Sequence, residues 1–367
     1  IYGTLFRVST WGESHGKGIG VVIDGCPAGL PLDEEDIQRY FARRKPGHSR
    51  FTTARQEGDQ VEILSGVFEG KTTGTPIALE VRNTDQRSHD YSNIMDVYRP
   101  GHADFTFDQK YGFRDYRGGG RSSGRETIGR VAAGAVAAKL LERLGVRVFA
   151  YTSAIGPVSI DRSRMEISKM GENRLYMPDD IAAKEAESYL EDMMARRDSC
   201  GGVVECVIEG LPAGVGEPVF DKLDAALAKA MMSIGAVKGV EIGDGFEAAV
   251  STGSQNNDIF CIDSAGHPAK RTNHSGGVLG GMSDSSPVVI RAAFKPTPSI
   301  AQPESTVDRS GREREIETHG RGDPINVPRA VVVAEAMAAL TAADLLLMSM
   351  TSRLDRMEEF FERMRRK

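Results

Sequence analysis

The stretch GRSSGRETIGRVAAGAVAAKLLERLGVRVFAYTSAI, residues 120–155, decides how the chain is built. Glycine, serine and arginine crowd its start, an alanine- and leucine-rich run continues to Leu144, and Gly145 stops it. Ser123 followed three residues later by Glu126 has the form of a capping box, in which the two side chains satisfy backbone N–H groups at a helix start. The spacing predicts a helix from there to Leu144 and a strand over Val146–Ile155.

Outward from this segment, Leu5–Thr10 alternates as a strand, and Gly18–Asp24 reads as a second, buried one. Asp33–Arg44 is an amphipathic helix bounded by Pro31 and Pro46. Val61–Leu64 and Pro76–Val81 read as strands. Towards the C-terminus come a helix over Asp179–Arg197, a strand over Val203–Glu209, a helix over Val219–Met232, strands over Val237–Ile242 and Val288–Phe294, and a long, mostly buried helix over Arg329–Met348. Helices and strands alternate, so the class is α/β or α+β. With no Pro/Ser/Gly-type linker, residues 1–352 are expected to form one compact domain. Residues 353–367 form a charged tail helix, for which a solvated end is favoured over an oligomer contact. The strand–helix–strand unit from Cys200 to Gly243 hints at a duplication of the first half, without enough match to claim a repeat.

The chain has 367 residues, 40% hydrophobic and 27% charged, with a formal net charge of -6. The acidic balance counts against a nucleic-acid or membrane-surface binder, so any anion site must be a local concentration of arginine. Four dispersed cysteines and no CxxC fit a reduced, cytoplasmic setting. No apolar run reads as long enough to span a membrane, and no group has metal-ligand spacing, so no metal is expected.

Several segments carry candidate chemistry. Gly12-Glu13-Ser14-His15-Gly16 offers a proton-exchanging histidine from a tight turn, against the alternative of a histidine bonded to a turn carbonyl. Adjacent side chains in a strand-like segment point apart, which counts against a hydrolase triad built on Ser14 and His15. Arg99-Pro100-Gly101-His102-Ala103-Asp104 is a second turn. It lies inside Asn83–Gly124, a long aperiodic polar stretch that reads as a structured active-site loop. Arg117 to Glu126 combines four glycines and three arginines at a helix start, a good anion site that is neither a Walker A loop nor a dinucleotide fingerprint. The basic run Arg43 to Arg50, taken alone, is a solvated helix end. Gly276 to Gly281 and Lys295 to Ser299 suit a wall for a flat ring system. Arg321-Gly322-Asp323-Pro324 offers either an internal ion pair or an anion ligand beside a proton relay.

Together these pieces resemble the chorismate synthase family. The carrying signatures are GESHGKGIGVVIDGCP (12–27), GRSSGRETIGRVAAGAV (120–136) and RGDPINVPRAVVVAEAM (321–337), with RPGHAD, SIGAVKGVEIG, TNHSGG and KPTPSI also similar. The resemblance implies an α+β fold, a β-α-β sandwich, usually a homotetramer. It implies a lyase that converts 5-enolpyruvylshikimate 3-phosphate to chorismate and phosphate by 1,4-anti elimination. This last step of the shikimate pathway requires reduced FMN without net redox change. By the same resemblance His15 protonates the departing phosphate and His102 sits by the flavin. Ser14 and Asp323 form a proton relay. Arg44, Arg50, Arg99, Arg125 and Arg321 bind the substrate's anionic groups. The flavin contacts are Arg44, Arg50, Arg121, Ser122, Ser123, Gly235, Ala236, Gly280, Lys295, Pro296, Thr297, Pro298, Ser299 and Arg321. Some members have Asn where this chain has Gly235, which leaves only a backbone contact there. The chain is expected to depend on an external flavin reductase, since no inserted segment for a reductase activity is recognisable. The competing readings are an NADPH-dependent flavin reductase, marked by NADPH oxidation without substrate, and a polyanion- or RNA-binding protein. The acidic charge and the lack of a basic stripe with stacking aromatics count against the latter.

Overall fold

The computed structural model describes residues 1–44, 58–83, 95–317 and 324–366. The chain opens with β1 (Arg7–Gly12) and β2 (Gly18–Asp24), then α1 (Glu34–Arg44), β3 (Val61–Ile63), a small hairpin of β4 (Val67–Phe68) and β5 (Lys71–Thr72), and β6 (Ile77–Arg82). α2 (Asp104–Tyr111) and α3 (Thr127–Arg143) follow, then β7 (Arg147–Ile155), β8 (Val158–Ser159), α4 (Asp180–Ala195), β9 (Gly202–Glu209) and α5 (Leu223–Met232). After β10 (Val237–Ile242) come α6 (Gly253–Asn256) and two hairpins, β11 (Phe260–Ile262) with β12 (Pro268–Lys270) and β13 (Val278–Leu279) with β14 (Met282–Ser283). β15 (Val288–Phe294), the hairpin of β16 (Pro303–Val307) and β17 (Glu313–Glu317), α7 (Val327–Ser349) and α8 (Leu354–Arg365) complete it.

Two antiparallel sheets, ordered β1-β2-β6-β3 and β10-β15-β9-β7-β8, flank a middle layer of helices. α3 packs on β2 and on α7, and α7 packs on β7 and β9, so the expected α+β sandwich is what forms. The alternation of β6 puts Ile77, Leu79 and Val81 into the core, facing the helix layer with Ile19, Val21 and Ile23 of β2. Helices in a layer between two sheets keep little solvent face, so α3 and α7 are mostly buried and apolar rather than cleanly amphipathic. Small residues let them approach closely: a Cβ on Gly134 of α3 would stand 2.3 Å from Cβ of Ala336 in α7.

Three expectations change. α7 is, by length and composition, apolar enough to cross a membrane, contrary to the reading that no such run exists, but 83% of its apolar window is buried inside the protein. The stretch 83–124 is not all loop, because Asp104–Tyr111 forms α2, ended by Gly112 at φ 78. Its periodicity was weak because polar and aromatic groups, rather than an apolar stripe, anchor it. The capping box does not close either. Ser123 caps only the short 3-10 turn Gly124–Glu126, its Oγ accepting from Arg125 N at 3.3 Å. Glu126 instead accepts from Thr10 Oγ1 and Arg130 Nε, each at 2.8 Å, so a tertiary contact outcompetes the local one.

Candidate active site

β1 and β2 pair in register up to Gly12 opposite Ile19, so the chain must reverse within residues 13–17. Gly12 at φ 84 permits the sharp exit, and Gly16 N donates to Glu13 O at 3.1 Å to close the turn. Ser14 and His15 sit on this turn, 1% and 8% exposed. Their side chains do not point apart as a strand would have them. Ser14 Oγ lies 2.9 Å from His15 Nδ1 and donates to Gly118 O at 3.2 Å. A serine hydroxyl has one hydrogen, and with it on Gly118 O the oxygen accepts from Nδ1–H. The imidazole therefore exchanges its proton at Nε2. The same geometry counts against a hydrolase: the hydroxyl gives its hydrogen to a carbonyl, not to the histidine that would have to activate it.

Gly118 shapes this corner. It has φ 63, and a Cβ there would lie 2.2 Å from His15 Cε1. Gly119 and Gly120 also have positive φ, at 80 and 52, so the loop bends through three successive residues that only glycine accommodates readily. Arg121 binds this loop to β1, with Nη1 donating to Gly12 O at 2.8 Å and Nη2 to Thr10 Oγ1 at 2.6 Å. Ser122 Oγ turns back to Gly119 O.

Behind the turn lies a buried ion cluster. Asp59, 3% exposed and at φ 43, faces Arg125 Nη1 at 3.0 Å and Arg44 Nη1 at 3.4 Å. Arg44 also donates to Thr127 Oγ1 and Gly124 O, each at 3.0 Å, and is 2% exposed. Arg43 makes a two-pronged pair with Glu335 of α7 at 2.7 Å. The basic end of α1 is therefore not the solvated helix end expected from composition, because α1 packs against α3 and α7 and carries both arginines inward. Asn83, at the end of β6, donates to Glu13 O and Gly16 O and accepts from Arg125 Nε. Neither Asp59 nor Asn83 was picked out from the sequence, since each lies in an unremarkable local pattern and gains its role only through distant partners.

The second histidine has another setting. Gly101 at φ 69 turns the chain, and a Cβ there would come 2.7 Å from Pro298 Cβ. His102 Nδ1 lies 2.9 Å from Pro100 O, which can only accept, and Nε2 lies 3.0 Å from Ser299 Oγ. Burial first, then the positive charge of Arg99, holds its pKa below the ordinary histidine value. Arg99 is directed inward from this turn. It pairs with Asp104 through Nε and Nη2, both at 2.8 Å, and is 9% exposed. Burial alone would raise the Asp104 carboxyl, but the Arg99 bonds and charge, with Arg114, keep it below its usual range.

Lys295 Nζ donates to Gly101 O at 2.7 Å and Lys295 N to Ala236 O at 2.9 Å. Ala236, Lys295, Pro298, Ser299 and His102 thus meet in one place. Gly235 has open space where a side chain would project, so its missing Cβ is not required by packing. Thr297 Oγ1 is buried without a hydrogen-bond partner among the described residues. Gly280 is elsewhere: its neighbour Gly281 accepts from Leu223 N at the start of α5, whereas Gly235 follows the far end, about 15 Å away at 1.5 Å per residue. Arg50, Arg321 and Asp323 lie outside the described residues. A cleft of about 300 Å³ is lined by Glu13, Asp104, Phe107, Gly120, Arg121 and Ser122 among others, and so touches both histidine turns without being lined by either histidine.

The family model described as chorismate synthase matches residues 6–347. A chorismate synthase of Agathobacter rectalis is 63% identical over 99% of this chain and 99% of its own, and one of Paramagnetospirillum magneticum is 56% identical over 95% and 97%. A solved crystal structure of chorismate synthase, 33% identical, superposes with a TM-score of 0.77 over 98% of this chain and 97% of that one. Sequence and fold agree along nearly the whole length: the chain belongs to the chorismate synthase family.

Proposed function

We propose that the cleft between the two histidine turns is where this chain makes chorismate, with the residues dividing the work as follows. As a member of its family the chain is a lyase of the final shikimate step, and its substrate, 5-enolpyruvylshikimate 3-phosphate, carries one phosphate and two carboxylates. Arg44 and Arg125 bind that anionic group, joined by Arg50 and Arg321. The observation that carries this reading is the pair of buried guanidiniums sharing the single carboxylate of Asp59. Two guanidiniums brought side by side on one carboxylate form a buried, fork-shaped site that suits a phosphate or carboxylate. Arg99, already paired with Asp104, contributes charge more than a free hydrogen-bonding fork.

His15 donates the proton to the leaving phosphate from Nε2. Ser14 holds the opposite nitrogen, so the proton has one place to go. Ser14 Oγ and Asp323 are the candidates for the relay that removes the substrate's proton.

The Ala236–Lys295–Ser299 wall fits a flavin, with Thr297 Oγ1 offering an unsatisfied group and open space beside Gly235. FMN in its reduced form supplies transient electron donation to the substrate ring, with no net redox change. His102, Lys295 and the backbone at 235–236 would hold it, and neutral His102, fixed through Pro100 O and Ser299 Oγ, would pack beside it without adding a full charge. The remaining contacts are Arg121, Ser122, Ser123, Pro296 and Pro298, with Gly280 contributed only if another copy of the chain brings it near. Reduced flavin comes from a separate reductase, the assembly is a homotetramer, and the setting is cytoplasmic.

The experiment is anaerobic release of phosphate from 5-enolpyruvylshikimate 3-phosphate by the pure protein with reduced FMN. Turnover at constant flavin redox state is expected. No release, or sustained NADPH oxidation without substrate, would refute the assignment. Sedimentation velocity tests the tetramer.

A further inference from the structure

We propose that Asn83 is a positioning residue that couples the anion-holding Arg125 to the turn carrying His15; this rests on the roles given to those two residues above. Asn83 Nδ2 donates to Glu13 O at 2.9 Å and to Gly16 O at 2.8 Å, the two carbonyls that bracket Ser14 and His15. Its Oδ1 accepts from Arg125 Nε at 2.7 Å. Two carbonyls on one side and an N–H on the other leave one consistent orientation of the amide, and the whole donor set of the side chain is used. The backbone takes part as well, Asn83 N donating to Lys17 O at 3.1 Å, which continues the β2–β6 ladder past its last paired residues, Gly18 and Arg82.

The side chain is thus a staple between the His15 turn and the arginine cluster. On one side is the turn that Gly16 N also closes by donating to Glu13 O. On the other is a guanidinium whose Nη1 rests on buried Asp59, which also holds Arg44. A movement of Arg125 towards a bound anion pulls on Oδ1 and is passed through a planar amide to the carbonyls on both sides of His15. Ser14, bonded to Gly118 O, fixes the ring's rotation, and Asn83 fixes where the turn stands relative to the anion. Glutamine is too long for this span. Aspartate has the right shape but sets carboxylate oxygens against two carbonyls.

Two variants of the full chain separate this from mere structural support. Asn83→Ala removes all three side-chain bonds. Asn83→Asp keeps an acceptor for Arg125 and loses both donors to the turn. In each, kcat for phosphate release is expected to fall about a hundredfold, the effect of a small misplacement of a catalytic group, while the thermal midpoint stays within a few degrees of wild type. A second readout needs no turnover. The side-chain NMR resonances of His15 are followed while inorganic phosphate is added to saturation, checked by calorimetry. They are expected to move in the wild type and to move little in either variant at saturating phosphate. A wild-type response of His15 in either variant overturns the proposal whatever kcat does, as does the absence of any response in the wild type. If His15→Ala keeps wild-type turnover, the acid assignment fails by itself, and the NMR arm still decides whether Asn83 links the two groups.

Discussion

His15 and His102 both stand on glycine-framed turns, yet they are held in opposite ways. The His15 ring is bonded through Nδ1 to Ser14, on a turn stapled to a cluster of arginines sharing one carboxylate. The His102 ring is bonded at both nitrogens, to Pro100 O and Ser299 Oγ, and is pushed towards the neutral form by burial and Arg99. The first arrangement turns Nδ1 to Ser14 and assigns the proton transfer to Nε2. The second keeps a neutral donor and acceptor at a wall of backbone and prolines. Identical side chains acquire different chemistry from the charge and bonding of their neighbours.

That contrast can be broken most directly at His15. His15→Ala should lower kcat by about a hundredfold to ten-thousandfold, the range for loss of a general acid, with FMN binding retained; wild-type turnover would remove it as the acid. Gly118→Ala comes next. The added Cβ meets the His15 ring and the backbone is at positive φ, so the ring must shift, and kcat should drop about a hundredfold for a displacement near 1 Å. If steady-state kinetics show an unchanged kcat, Gly118 does not constrain the ring.

At the other pole, His102→Ala should reduce turnover by less than His15→Ala, and calorimetry should still detect FMN. A larger loss at His102 would reverse the ranking of the two sites. The pH behaviour sharpens the same point. Because the folded pKa of His102 lies below the ordinary value, the unfolded chain binds the proton more readily there. This residue's contribution to stability is complete above about pH 6.5 and declines as the pH falls through and below that value. NMR titration should give a His102 midpoint below 6.5; a midpoint above it contradicts the neutral assignment. The smallest effect belongs to the tail. None of the side chains of α8 is buried, so a chain ending at Ser352 should keep kcat within about twofold, since exposed positions away from the core seldom matter much. A large loss would mean that the apolar side of α8, with Leu354, Phe360 and Phe361 exposed, serves the active form.

Much of the frame was legible from pattern. The strands β2, β6, β9 and β15 and the helices α3 and α7 stand within a few residues of where periodicity put them, because long apolar stretches bounded by glycine and proline carry that information locally. The basic end of α1 misled: charge at a helix terminus usually means solvent, and only packing against α3 and α7 turned Arg43 and Arg44 inward. Ser123 and Glu126 misled for a related reason, a tertiary hydrogen bond to Thr10 replacing the local box.

The sequence by itself determined the two histidine turns, the arginine-rich glycine loop and the class of the fold, since turns and periodicity depend on neighbours along the chain. The tertiary structure alone decided which arginines are spent on Asp104 and which share Asp59, which nitrogen of His15 exchanges its proton, and that Asn83 joins the two. Those properties arise where residues 15, 59, 83 and 125 meet across more than a hundred positions of chain, and electrostatics and hydrogen bonding act over ångströms of space, not over intervals of sequence.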